Sequence, residues 1–262
     1  MFWHSTDRVT AYWCRHAALL RHWRQHGDQL TCTAELSLGP STPQQAAEAF
    51  AHWMGSLSPR RFRLHLMIGA SELRLGLMRR PFGARSAADW QAAACAALFP
   101  GDDVQQAPDW RVALDPLPGG AQALCAAVRA ADLLSLTASF DTKGATAKHI
   151  TPMCSAVVAR HARSAQAQSA VAVSEPGAIA SFATRGGSAF VAHLTADDSD
   201  RLLRAEAVRA ALAAGIDLAA VNEQDIDASL VAGYRFDLPA ASVAHSLKPA
   251  QPDNADRFKR VF

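Results

Sequence analysis

The stretch SAVAVSEPGAIASFATRGGSAFVAHL, residues 169–194, decides the fold. Three short apolar runs, 169–173, 178–184 and 188–194, are separated by Glu175-Pro176-Gly177 and Arg185-Gly186-Gly187. Proline presets one turn dihedral and glycine supplies others that side chains resist, so the stretch reads as a β-meander with two tight turns. An alanine-rich helix follows at once. The N-terminus carries a looser version of the same plan, with strands expected at 1–4, 9–14 and 30–38 and a helix from Thr42. A meander feeding a helix, twice over, predicts a two-lobed α/β protein.

Between the two meanders the chain alternates in period. Thr42-Pro43-Gln44-Gln45 is a capping-box pattern with proline at the first helical position, and Ala46, Phe50, Trp53, Met54 and Leu57 repeat at helical spacing. Residues 61–70 alternate as a strand does, with Phe62, Leu64, Leu66 and Ile68 on one face, and Leu73, Leu75 and Leu77 resume the pattern. A second helix is expected from Ser86 through Trp90, Ala94 and Leu98, then a strand at 110–114, a loop at Pro116-Leu117-Pro118-Gly119-Gly120, and a strand at 123–128. Leu133, Leu136, Thr137 and Phe140 mark a third helix stopping at Gly144; Thr151-Pro152 is expected to open a fourth through His161. A fifth is capped by residues 195–198 and ends at Gly215. The polar stretch 160–168 reads as a lobe boundary, and residues beyond Pro239 lose periodicity and read as a loosely ordered tail.

Composition narrows the class. A chain of 262 residues buries roughly 70 to 75% of its unfolded surface, so neither disulfides nor a structural metal is needed for a stable core. The formal charge of +2 supplies no electrostatic reason to bind nucleic acid. Cys14, Cys32, Cys95, Cys125 and Cys154 are odd in number, widely spaced and lack a C-x-x-C pair, which reads as buried free thiols in a reducing compartment. No stretch approaches the roughly 20 apolar residues that cross a bilayer, and the N-terminus lacks a charged leader ahead of an apolar core; a soluble cytoplasmic protein is expected.

The element order carries a resemblance. A meander and helix, a strand running into Arg79-Arg80-Pro81, a helix at Ser86, a strand at Trp110, a helix ending at Asp141-Thr142-Lys143-Gly144, then Ile150-Thr151-Pro152 and a second meander resemble the actin-like cytoplasmic proteins of type IV pilus assembly and the cytoplasmic part of the type II secretion inner-membrane platform. The similarity spans roughly residues 1–235 and rests on order and rhythm more than on fixed motifs. It implies a pseudo-actin, ribonuclease H-like fold with lobes at 1–163 and 164–238 and a tail at 239–262. It also implies a non-enzymatic scaffold, peripheral to the inner membrane through a partner, that holds a membrane-protein peptide or an assembly ATPase. Self-association as a homodimer stays open, and contact with the membrane is expected only indirectly.

Nucleotide-using actin-like proteins place an acidic residue and a glycine in the first turn of each meander, where backbone amides meet phosphate. The corresponding turns are expected here at Ser5-Thr6-Asp7-Arg8, which has no glycine, and at Ser174-Glu175-Pro176-Gly177, where Pro176 withholds an amide. Asp-x-Gly is absent from both, so no cofactor is expected. Asp7, Glu175 and Gly177 remain the candidate residues of the alternative, an ATP-binding enzyme or sugar-kinase relative. Other chemistry is weaker. His22 and His26, four apart, would share a helix face, but without a following glutamate they read as a surface pair and not a zinc site. Cys154 beside His149 or His161 suggests a thiol nucleophile, against a plain buried cysteine. Arg15, Arg21 and Arg24 with Trp13 and Trp23 form the one basic and aromatic cluster; arginines covering tryptophan faces in a core explain it more simply than stacked bases. G-x-S-x-G, P-loop and dinucleotide motifs are absent. At the tail, Arg257-Phe258-Lys259-Arg260-Val261-Phe262 sets two phenylalanines beside three cations, a short docking segment or a disordered end.

Overall fold

In the computed structural model, the described residues are 7–26, 29–57, 62–79, 81, 83, 86–116, 122–141, 145–155, 168–185, 188–194, 200–216, 231–236, 243–244 and 258–260. By compactness the chain forms two units, each discontinuous in sequence. One comprises Met1–Gly69, Ala131–Met153 and Asp237–Phe258; the other comprises Ala70–Ala130, Cys154–Phe236 and Lys259–Phe262.

The first unit is built on a six-stranded sheet of β1 (Asp7–Cys14), β2 (Ala17–His26), β3 (Gln29–Leu38), β4 (Phe62–Ile68), β8 (Ala145–Pro152) and β13 (Val243–Ala244), in the order β13-β3-β2-β1-β4-β8. β1, β2 and β3 are an antiparallel meander; β4 runs parallel to β1, and β8 parallel to β4. Among the described residues, two long helices belong to this unit. α1 (Pro43–Leu57) starts with the expected capping box, the Gln45 N–H donating to Thr42 Oγ1 at 3.2 Å while the Thr42 N–H donates to Gln45 Oε1 at 3.0 Å. α3 (Ala130–Asp141) meets α1 through Phe140, whose ring lies 5.9 Å from Phe50 and 6.4 Å from Phe62 of β4. All three phenylalanines are buried, so Phe140 joins both helices to the sheet.

The second unit repeats the plan. β9 (Gln168–Glu175), β10 (Ala178–Arg185) and β11 (Ser188–Leu194) are the antiparallel meander read from residues 169–194. β12 (Val231–Phe236) lies parallel to β9, and with β14 (Phe258–Arg260) the order is β11-β10-β9-β12-β14. The helix after the meander, α4 (Asp200–Ala213), packs Leu203, Ala207, Ala210 and Ala211 onto Ala170, Ala172, Ile179 and Ala183. Small side chains on both surfaces let helix and sheet approach closely. Gly215, at φ 73°, ends α4 in a Schellman motif: the Ile216 N–H donates to the Ala211 carbonyl and the Gly215 N–H to that of Leu212. Between β4 and α3 the chain adds a three-stranded antiparallel sheet, β5 (Arg74–Arg79), β6 (Trp110–Pro116) and β7 (Gln122–Arg129), in the order β5-β7-β6. α2 (Ala87–Leu98) covers it, capped reciprocally by Ser86 and Asp89.

Several expectations shift. The first meander is displaced: its middle strand is β2, where no strand was expected, and residues 1–4 lie outside the described residues. AALLRHWRQH hides a strand because both of its faces are buried over residues 17–23, so apolar and polar residues do not alternate. Thr151 and Pro152 end a strand and do not open a helix, which starts at Met153; 156–167, including His161 and most of the expected boundary, lie outside the described residues. So do the 117–120 part of the proline-glycine loop, Gly144, Gly186, Gly187 and the 195–198 cap. The tail expected to be loosely ordered contributes β13, paired with β3, and β14; the rest of 245–262 lies outside the described residues.

Candidate functional site

The two places where a nucleotide-binding chain of this topology would hold phosphate are the hairpin turns β1–β2 and β9–β10. In the first meander this turn is Arg15-His16, closed by the pairing of Cys14 with Ala17, and both turn residues are exposed. It contains neither carboxylate nor glycine. Asp7 therefore is not in a turn, as the displaced reading of the meander expected; it is the first residue of β1. Its carboxylate is engaged across the sheet, Oδ2 lying 3.1 Å from His22 Nε2 and Oδ1 4.0 Å from Arg24 Nε.

His22 is 2% exposed, not a surface residue. A register shift at His22/Trp23 places Thr33 as the extra residue of β3, and Thr33 Oγ1 lies 2.7 Å from His22 Nδ1 and 3.3 Å from the His22 carbonyl oxygen. Both ring nitrogens are thus spent inside the sheet. On a strand, residues four apart stand about 13 Å apart along the backbone, so His22 and His26 cannot share a metal as a helical pair would. Among the described residues no cluster of histidine, cysteine and acidic side chains could hold a metal ion.

The second turn lies where the sequence places it. Pro176 and Gly177 (φ 78°) close the hairpin, with Glu175 paired to Ala178. Glu175 is 2% exposed, and its Oε2 accepts a hydrogen bond of 3.1 Å from the N–H of Ala70, which opens a 3-10 turn at Ala70–Glu72. That carboxylate fastens two parts of its own unit. Cys154, fully buried, stands in its field: burial first, then the Glu175 charge, push the thiol well above its usual range. Such a thiol is neutral and inert, which removes the nucleophile reading. His149 is not its partner either; it is exposed on β8, its ring 4.9 Å from that of His65 on β4.

The basic and aromatic cluster divides: Arg15 and Arg24 are exposed, and the rest is core. The Trp23 Nε1–H donates to Thr10 Oγ1 at 2.9 Å, Arg21 lies 5.7 Å from the Trp23 ring centre and 2.5 Å from Glu35 Oε2, and Trp13, Trp23 and Arg21 are all buried. Both tryptophan rings are therefore closed to stacking bases. What the sequence reading missed is on the same face of that sheet: Arg8 and Arg63, exposed and adjacent on β1 and β4, and the pair His65 and His149 beside them. The signal existed in the alternation Arg63-Leu64-His65-Leu66, read only for its apolar half.

No family model matches this sequence, and no curated protein sequence matches it. Solved structures do. A protein of unknown function with an actin-like ATPase fold from Bacteroides thetaiotaomicron is similar over 76% of this chain and 74% of its own, with 9% identity and a TM-score of 0.53. A chain of the PilM–PilN type IV pilus biogenesis complex is similar over 81% and 67%, with 15% identity and a TM-score of 0.50. The cytoplasmic domain of EpsL, an inner-membrane component of the type II secretion system of Vibrio cholerae, aligns over 91% and 86% at 12% identity with a TM-score of 0.48. The first two likenesses, and the strand order found twice in the chain, establish the actin-like fold.

Proposed function

We propose that this chain is a non-catalytic scaffold of a type IV pilus or type II secretion assembly, holding other components at the cytoplasmic face of the inner membrane. The observation that carries it is the state of the two turns. One is Arg15-His16, without a carboxylate or a glycine; in the other, Glu175 is buried and bonded to Ala70. A triphosphate carrying about four negative charges needs a metal held by free carboxylates and an open row of amides, and Pro176 withholds one. The likeness to a chain of the PilM–PilN complex supports the pilus side of the reading. We take the lobes as 1–163 and 164–238, each built on one meander with a parallel strand beside its first strand; β14, from beyond residue 238, completes the second strand order. Among the described residues no helix is long and apolar enough to cross a membrane, which agrees with recruitment by a partner.

The test has two arms. Titration with ATP and magnesium should leave the melting temperature unchanged, whereas a ligand at 100 times its Kd would add about 2.7 kcal/mol. A tagged chain expressed in a cell with such a machine should co-purify an assembly ATPase or an inner-membrane component. Micromolar ATP binding abolished by Glu175→Gln would overturn the proposal in favour of the ATP-binding enzyme.

A further inference from the structure

The structure assigns the free edge of β8, with the cationic face beside it, to an extended acidic segment of a protein partner. On one face of the first sheet, Arg8 of β1 pairs in register with Arg63 of β4, and Thr10 with His65, which in turn is level with His149 of β8. Arg8, Arg63 and His149 are exposed and His65 is half-buried. Strands β4 and β8 contain no acidic residue, and Asp7, the acid of β1, lies on the opposite face with His22. Among the described residues no ion pair neutralises Arg8 or Arg63. Like charges side by side on adjacent strands, about 4.8 Å apart, destabilise a sheet until an anion bridges them. The field is felt locally: burial, His149 and Arg8 together hold His65 down to about 4, so at neutral pH it is an uncharged ring bonded to Thr151 at 2.8 Å.

The edge supplies the second half of the site. β8 closes one end of the sheet and has β4 as its sole neighbour among the described strands, so its outer row of backbone groups meets no strand among the described residues. An added strand alternates its side chains between the two faces. One set would lie level with His149 and within reach of Arg63, where carboxylates suit the guanidinium forks. The other would lie beside Ile150, which is 37% exposed, where apolar side chains suit. The partner segment is therefore extended, with acidic and apolar residues in alternation. This inference rests on the scaffold reading and names the chemistry of one partner.

A fluorescein-labelled peptide of alternating glutamate and valine with blocked ends is the probe, titrated against the full chain by fluorescence anisotropy. It should bind, and weaken about tenfold or more in the double variant Arg8→Gln, Arg63→Gln. Arg63→Lys should retain part of the affinity. The same peptide N-methylated at alternate residues, which cannot complete the strand ladder, should lose binding, and a lysine-valine peptide should not bind. Both arginines are exposed and repel each other, so a thermal melt of the variants should match or slightly exceed the parent. Absence of peptide binding, indifference to the arginine substitutions, or equal binding of the N-methylated peptide would overturn the site. So would phosphatidylserine vesicles that sediment the chain with the same dependence on Arg8 and Arg63, since the face would then be a lipid contact. None of these results touches the co-purification test, so failure here and failure of the scaffold reading are separable.

Discussion

At the scale of residues, the polar groups inside this protein are structural. His22 holds Asp7 and Thr33 at once, so His22→Ala should remove both contacts and leave a cavity, costing about 2 to 4 kcal/mol in denaturant unfolding. Glu175→Ala should cost about 1 to 3 kcal/mol, because the Ala70 N–H loses its acceptor in a buried place. Thiol reactivity follows burial: iodoacetamide on the native protein should label Cys95, which is half-buried, well ahead of Cys154 and Cys14. His65 makes stability depend on acid. Its folded-state value of about 4 lies below the ordinary 6.5, so between those limits the unfolded chain binds the proton first, and stability that is full above about 6.5 is lost as pH falls towards 4. The ring is partly exposed, so the linkage slope of about 1.4 kcal/mol per pH unit is an upper bound. His65→Gln, which keeps a donor for Thr151, should flatten that part of a melting-temperature profile; an unchanged profile would show that other groups carry the acid sensitivity.

At the scale of elements, caps and one aromatic wedge set the local order. Ser86→Ala breaks the reciprocal bonds with Asp89 and should cost about 1 kcal/mol. Gly215→Ala forces a side chain into the left-handed region, and the new methyl would meet the Arg185 guanidinium at 3.0 Å, so a loss of about 1 to 2 kcal/mol is expected. Phe140→Ala should cost more, about 3 to 5 kcal/mol, since it separates α3 from both Phe50 and Phe62. The helices were legible because their start signals are local: Thr42 with Gln45 and Ser86 with Asp89 need only a few neighbouring residues. β2 was not. Its inward residues Leu20 and Ala18 alternate with Leu19 and Arg21, and both faces are buried, so the period-two contrast that marks a strand is missing.

At the scale of the whole molecule, one strand order occurs twice, and the tail visits both sheets. β13 borders β3, and β14 borders β12. Deleting residues 250–262 removes β14 and exposes the edge of β12, so the melting temperature should fall by a few degrees, roughly what 1 kcal/mol is worth in a chain of this size, and aggregation should rise. An unchanged melt with loss of co-purified partners would instead make the tail a docking segment.

The chain's local chemistry was enough to determine the strands of the second meander and its first turn, because proline and glycine at Glu175-Pro176-Gly177 act on the backbone itself and need no distant partner. It also determined the starts of α1 and α2 and, through the order of elements, the actin-like fold. Tertiary structure alone decided which residues stand in the first hairpin turn, that Asp7 is tied to His22 and Glu175 to Ala70, and that Arg8, Arg63, His65 and His149 share a face. These depend on strand register or on contacts between segments far apart in sequence, and a register shift of a single residue, like the one at Thr33, moves side chains to the other face without changing any local signal.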